Sequence, residues 1–276
     1  MNLDKAFNHL YKTYFGELQI EKYEIENLPN LLINCKIFID VGASLGMYTY
    51  YANKILQNAS IIAIEADPDR YKELKKNCVK WEQEGPNKIT AINKIIGDCD
   101  KLTTFYKTGT NISGSLFPVN ERSNAYEPIE ISQITIDEYY ESGKKIVIKI
   151  DVEGGEYRVM QGATKHLNKN NTDFLIEMHW WGDRERGTTS LHLLKFLYSK
   201  KFSITKTTKV HTSNYLFQPA KEGQSLLPLY LRYAPLLLAK TIYGKYIPLF
   251  LRNIREKSLN KRRKRKYRTS LENENL

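Results

Sequence analysis

The 276-residue chain has little cysteine: Cys35, Cys78 and Cys99 are the full set. Three thiols cannot all pair, and none stands in a CxxC spacing. A disulfide-stapled secreted fold and a cysteine-built metal centre are therefore both disfavoured, and a reducing compartment fits better. No apolar stretch follows a basic N-terminus, so no signal peptide is read. No internal repeat is found, and no HExxH, Walker loop or Ser-His-Asp order. Net positive charge is scarce outside one place. From Arg252 to Arg268 stand ten Lys and Arg against one Glu, a net of +9 out of the chain's +11. The other residues carry only +2, so the charge speaks of location or partner rather than of chemistry.

What is present is ordinary globular material, 41% hydrophobic and 26% charged, which excludes wholesale disorder. Three regions are read: an irregular helical extension at 1–34, a main domain at 35–220, and an apolar, then basic, appendage at 221–276. The main domain alternates short apolar runs with amphipathic stretches, the pattern of an α/β fold with a mostly parallel, Rossmann-like sheet and helices on both faces. Strands are expected at 37–41, 61–64, 89–96, 146–150 and 173–178. The runs 103–106 and 129–134 alternate as edge or antiparallel insertions do, and 202–205 with 214–217 suit a closing antiparallel pair. Helices are expected at 47–56, 68–80, 156–167 and 190–199, the second capped by Asp67 with Pro68 at its first position.

Ligands of open α/β sheets sit beyond the carboxyl ends of the strands. The first strand ends in Asp40-Val41-Gly42-Ala43-Ser44-Leu45-Gly46, and the second in Glu65. A glycine turn allows close approach of a ligand, and a carboxylate at the second strand end can accept from both hydroxyls of a ribose. The spacing Gly42-x-x-x-Gly46 departs from the dinucleotide fingerprint. Asp40 would repel a pyrophosphate yet favour a cationic amino or sulfonium group. These features point to S-adenosylmethionine rather than a nicotinamide dinucleotide.

With these stretches in view, the sequence resembles the FkbM-type S-adenosylmethionine-dependent methyltransferases. The matching residues are Ile39 to Thr49, then Glu65-Ala66-Asp67-Pro68 with Leu74 and Asn77, then Thr135 to Tyr139. The most specific is Ile148-Lys149-Ile150-Asp151-Val152-Glu153-Gly154-Gly155-Glu156, followed by Gly162-Ala163 and Phe174 to His179. Ser44 stands where the family often has Asn, and Gly155 where Ala is usual. The resemblance covers roughly 36–218. It implies a class I methyltransferase fold and O-methylation of a sugar or related hydroxylated product. It also implies cofactor contacts from Asp40, Gly42, Ala43, Ser44, Gly46 and Glu65, with Asp40 on the methionine part and Glu65 on the ribose.

Further candidates follow from strand-end placement. Asp98 can accept from an adenine amino group, or be a turn residue. Asp151 and Glu153, two apart, share a face if their strand runs that far; they could orient an acceptor, take its proton or bind a divalent ion. No metal is assigned. Lys149 shares the face of Asp151, while Glu156 reads as helix-end charge. Glu177 and His179 end the next strand, and an imidazole suits a general base near neutral pH. Trp180-Trp181 could stack on a sugar, and the polar loops 108–115 and 182–187 could contact cofactor or acceptor. His9, His166, His192 and His211 are given no chemistry.

In the appendage, Leu226 to Leu251 is apolar but interrupted by Arg232, Lys240 and Lys245, and by Pro228, Pro235 and Pro248, which break the helical pattern. Peripheral membrane contact through 226–268 is one reading, and a solvated tail, a helical subdomain packed on the main domain and a dimer contact stand beside it; the protein is expected in the cytoplasm, at a membrane if the first reading holds. The acceptor expected is a hydroxylated one, a sugar or glycan, in lipid-linked form if the tail serves to reach it. The rivals are an RNA or DNA methyltransferase steered by the tail, and a non-catalytic binding protein on the same fold. The near-neutral domain, and the lack of an Asn/Asp-Pro-Pro-aromatic element after 146–150, weigh against the first.

Overall fold

The computed structural model describes residues 22–108, 126–168, 171–179, 187–206 and 214–246. The Trp180-Trp181 pair, the 109–115 and 182–186 loop residues, His9, His211 and the basic run lie outside them.

The centre is a seven-stranded sheet in the order β3-β2-β1-β7-β8-β10-β9. Its strands are β1 (Ile37–Val41), β2 (Ser60–Ile64), β3 (Lys88–Ile92), β7 (Ile146–Ile150), β8 (Thr172–Glu177), β9 (Phe202–Lys206) and β10 (Asn214–Pro219). β3, β2, β1, β7 and β8 are parallel, and β10 runs antiparallel between β8 and β9. A second sheet, β4 (Ile95–Gly97), β5 (Lys101–Thr108) and β6 (Tyr126–Thr135), has the order β4-β6-β5.

Strand periodicity explains the layering. On β1, Ile37, Ile39 and Val41 join one core with Val159 and Met160 of α4 (Glu156–Gln161), Leu167 of α5 (Thr164–Asn168), and Leu193 and Leu197 of α6 (Ser190–Ser199). Phe38 faces the other way. It packs with Ile25 and Leu28 of α1 (Lys22–Leu31), Tyr51 of α2 (Met47–Ile55) and Leu74 of α3 (Pro68–Gln83). A sheet covered on both faces has strands buried along their whole length, as β1 and β7 are, each mainly apolar with one charged residue, Asp40 and Lys149, toward its carboxyl end. Asp67 caps α3 by accepting from the backbone N–H of Asp69 and Arg70.

Three expectations are corrected. The run 89–96 is two strands in two sheets. At the break, the Asn93 amide donates to the carbonyls of Glu65 and Ala66, 2.8 Å each, and turns the chain at the end of β2. The helix expected at 156–167 is split into α4 and α5. Gly162 lies so close to Gly97 that a Cβ there would stand 2.0 Å from its carbonyl oxygen, and Asp137 accepts from the N–H of Lys165 in the new first turn. β7 covers 146–150 as expected; beyond it Glu153 and Gly154 take left-handed φ values of 52° and 108°, so the strand does not run on to Glu153.

Pro228 and Pro235, finally, do not break the C-terminal pattern: α7 runs Leu227–Tyr246, and Pro248 lies outside the described residues. Pro228 sits in the first turn, where its missing N–H is no loss. Pro235 forgoes one bond, offset by burial of Tyr230, Tyr233 and Leu237 against the main body, with the Tyr230 hydroxyl donating to the Phe202 carbonyl at 2.7 Å. Among the described residues no helix is long and apolar enough to cross a membrane.

Candidate functional site

Order reverses between β1 and β7: the chain goes outward from β1 through β2 to β3, and from β7 to β8 on the other side. Such a switch point opens a crevice at the carboxyl ends of the strands. Gly42 walls it. Its φ is +78°, and a Cβ there would stand 1.8 Å from the Asp151 carbonyl oxygen, so only glycine lets the two strand exits touch. Gly46, at φ +91°, packs against Leu74 and Trp81.

Strand alternation sends Asp40 toward α2. Gly46 offers that helix no capping side chain, and Asp40 takes the part. Its Oδ2 accepts from the Thr49 N–H at 3.1 Å and the Thr49 hydroxyl at 2.8 Å. Burial pushes its pKa up to about 6, against the pull of these donors and of Lys149. Asp40 thus holds the glycine turn to the helix behind it.

Glu65 is buried at the end of β2. One carboxylate oxygen accepts from the Ser44 N–H at 2.7 Å, the other from the Asp67 N–H at 2.8 Å. Burial pushes its pKa up to about 7, opposed by those bonds and by Arg70. An ionised carboxylate offers about four acceptor positions. Two are filled by backbone and two remain, enough for the adjacent hydroxyls of a ribose, so the residues fit an adenosine cofactor. Ser44 sits at φ +52°, and its hydroxyl accepts from Arg70. Ala43 is buried beside it. Asp98 follows β4 in the small sheet, where its carboxylate accepts from Gln133 at 3.3 Å.

Across the crevice, β7 and β8 deliver a second constellation. Lys149 lies in register with Asp40 and is only 2% exposed. Its ammonium is 5.0 Å from the centre of the Tyr48 ring and 3.5 Å from Asp151 Oδ2. Burial would raise the Asp151 pKa, but Lys149 and His179 outweigh it and hold the carboxyl below its ordinary range. His179, also buried, points Nδ1 at Glu156 Oε1, 2.7 Å away, and Nε2 at Glu153 Oε2, 3.4 Å away, with Glu177 Oε1 at 4.0 Å. Burial alone would lower its pKa; Glu156, then Asp151 and Glu153, push it up to about 10. The imidazole is therefore charged at neutral pH in this state, and the surroundings favour an imidazolium that organises carboxylates over the general base expected from sequence.

Asp151, Glu153, Glu177 and His179 are thus brought together although β7 does not run on to Glu153, because the left-handed turn at Glu153 and Gly154 folds the chain back toward β8. Asp98 is not part of this cluster. Asp151, Glu177 and His179 each offer one ligand atom within 4.8 Å of the others, a set that could hold a divalent ion. A small open pocket beside them is lined in part by Gly154, Glu156, Tyr157, His179 and Thr188. The Thr188 hydroxyl is buried without a hydrogen-bond partner among the described residues.

Sequence reasoning missed three working residues. Glu156, read as helix-end charge, also accepts from the Gly154 N–H at 3.0 Å and so fixes both the turn and the imidazole. Asn93 anchors the exit of β2. Thr49 holds Asp40; the signal was a helix opening on glycine, whose N–H groups had to find an acceptor elsewhere.

A doubly covered sheet of this order, ending in an antiparallel pair, with a glycine turn after β1 and an acid closing β2, defines the class I S-adenosylmethionine-binding methyltransferase fold. Comparison with known proteins narrows this. The methyltransferase FkbM domain matches residues 40–204, and the chain belongs to that family, whose cofactor is S-adenosylmethionine. It is similar to the hexuronic acid methyltransferase AglP of Haloferax volcanii, 26% identical over 175 residues, 62% of this chain and 65% of that protein. This chain therefore spans just under two thirds of that relative. Among solved structures, it is similar to a methyltransferase FkbM from Methylobacillus flagellatus (TM-score 0.45, 16% identity, 67% of this chain, 44% of that one). It is also similar to an O-methyltransferase from Bacillus cereus (TM-score 0.47, 9% identity, 79% and 88%).

Proposed function

We propose that the protein transfers a methyl group from S-adenosylmethionine to a hydroxyl oxygen of a saccharide or glycan. Family membership supports methyl transfer, and the relative that acts on a hexuronic acid supports a sugar acceptor. The observation that carries the reading is Asp151, kept ionised by Lys149 and His179, at the mouth of the crevice opposite Glu65.

In this reading Glu65 accepts from the ribose hydroxyls, the turn Gly42 to Gly46 lies along the methionine part with Asp40 behind it, and Asp98 is assigned to the adenine amino group. The cofactor supplies a methyl already activated by its sulfonium, so the protein has to align the acceptor and remove a proton. Asp151 is the base. Glu153 and Glu177 bind neighbouring hydroxyls, and His179, braced by Glu156, fixes the carboxylates in place. The enzyme is taken to work in the cytoplasm, with its C-terminal segment against a membrane.

The test is calorimetric titration with S-adenosylmethionine and S-adenosylhomocysteine, followed by a labelled-methyl screen of uronic-acid-containing glycans. Asp151→Asn is expected to bind the cofactor as wild type does and to lose transfer by about 100-fold or more. Labelling of no sugar hydroxyl, or full transfer by Asp151→Asn, would overturn the reading.

A further inference from the structure

Helix α7 is apolar on two sides, and the structure covers only one. Leu226, Tyr230, Tyr233 and Leu237 turn inward onto α6 and β9. Along its flank Leu227 is 54% exposed, Leu231 61% and Leu238 46%. At 100° per residue these three leucines fall within an arc of about 40°, centred about 110° round the helix from the packed face, on its flank. Exposed Pro235 and Arg232 border the stripe, and the Arg232 guanidinium lies 5.8 Å from the centre of the Tyr233 ring. Contiguous exposed leucine on one helix face marks a contact surface rather than ordinary surface noise.

Two features choose the occupant. The chain that follows the helix carries the net +9 run between Arg252 and Arg268. A second copy packed on this stripe would bring two such runs together, and three leucines fall short of the roughly 800 Å² per partner that a stable dimer buries. A nucleic acid would use the charge and leave the leucines in water. An anionic bilayer uses both: acyl boundary for the stripe and headgroup charge for the run, with Arg232 reaching to the headgroups.

We propose that α7 docks the protein on anionic membrane through Leu227, Leu231 and Leu238, with the basic run holding it there. This deepens the membrane contact taken above and owes nothing to the methyl acceptor. The helix lies flat; its inner face stays on the domain.

The experiment is co-sedimentation of the full chain with phosphatidylcholine vesicles, with and without phosphatidylserine, at low and high salt. Three forms are compared: wild type, the triple variant Leu227→Gln/Leu231→Gln/Leu238→Gln, and one with Lys261 to Lys266 changed to Gln. Wild type should pellet with the serine-containing vesicles only. Each variant should lose about tenfold or more in affinity while keeping the wild-type thermal midpoint and cofactor binding. Unchanged binding by the leucine variant would overturn the proposal, as would its conversion of a dimer to a monomer, which would make the stripe a self-contact. Absence of vesicle binding by wild type would overturn it too, and would leave the methyltransferase reading untouched.

Discussion

The proposed contact of Glu65 with the ribose makes cofactor affinity a function of pH, and the sign can be worked out. Its pKa stands at about 7 without ligand, mainly because it is buried. Ribose hydroxyls donate to the charged carboxylate, so binding favours deprotonation. At pH 8 the group is ready; at pH 6, one unit below its pKa, about nine-tenths of the protein must first release a proton. Affinity for S-adenosylhomocysteine should therefore fall about tenfold from pH 8 to pH 6, with protons released on binding in the lower half of that range. Calorimetry in buffers of different ionisation enthalpy measures both. Glu65→Gln removes the titration, so its weaker affinity should be flat over the same interval. A pH-independent wild type, or the same slope in Glu65→Gln, would refute the argument. Folding carries the matching signature. With its pKa raised above the unfolded value of 4.5, Glu65 contributes stability at low pH that is lost as pH rises toward 7.

Two further outcomes follow from the packing. Gly42→Ala must place a methyl 1.8 Å from the Asp151 carbonyl at φ +78°, whereas Gly143→Ala meets nothing within 4 Å at φ +77°. Urea denaturation should show the first costing more than about 2 kcal/mol beyond the second, because backbone strain is common to both and only the collision differs. Glu156→Gln removes the nearest carboxylate from His179, so NMR titration should find the imidazole pKa well below about 10. In wild type the raised pKa contributes stability below pH 6.5 that fades as pH climbs toward 10; in the variant that alkaline decline should shrink.

Much of this was legible because strand ends announce themselves. Val41-Gly42 and Ile64-Glu65 place a turn and an acid at the tips of buried runs, and parallel neighbours bring such tips together. The carboxylates after Ile150 and the histidine after Glu177 were found by the same rule. What escaped the rule depended on contacts between distant segments. That Gly162 breaks a helix is decided by Gly97, and that β4 leaves the main sheet is decided partly by an asparagine reaching back to Glu65. His179 is a base in isolation and a cation among Glu153, Glu156 and Asp151; no residue type carries that information alone. The persistence of α7 through Pro235 likewise comes from the tyrosines that bury its inner face. His166, by contrast, is as bland as its sequence suggests, buried between the Thr172 hydroxyl and the Ile136 carbonyl.

The placing of β10 between β8 and β9 has a consequence for how the molecule is made. β8 is complete once residue 177 has left the ribosome, yet the neighbour that closes its outer edge is the last strand of the sheet, ending at Pro219. For some forty residues of synthesis the nascent chain offers a row of unpaired peptide groups along an apolar strand, the kind of edge that recruits other chains. Any shortened form that stops before Pro219 keeps that edge permanently. The antiparallel closure is therefore a checkpoint in biogenesis: the protein becomes safe to release only when its sheet has been sealed from the far end.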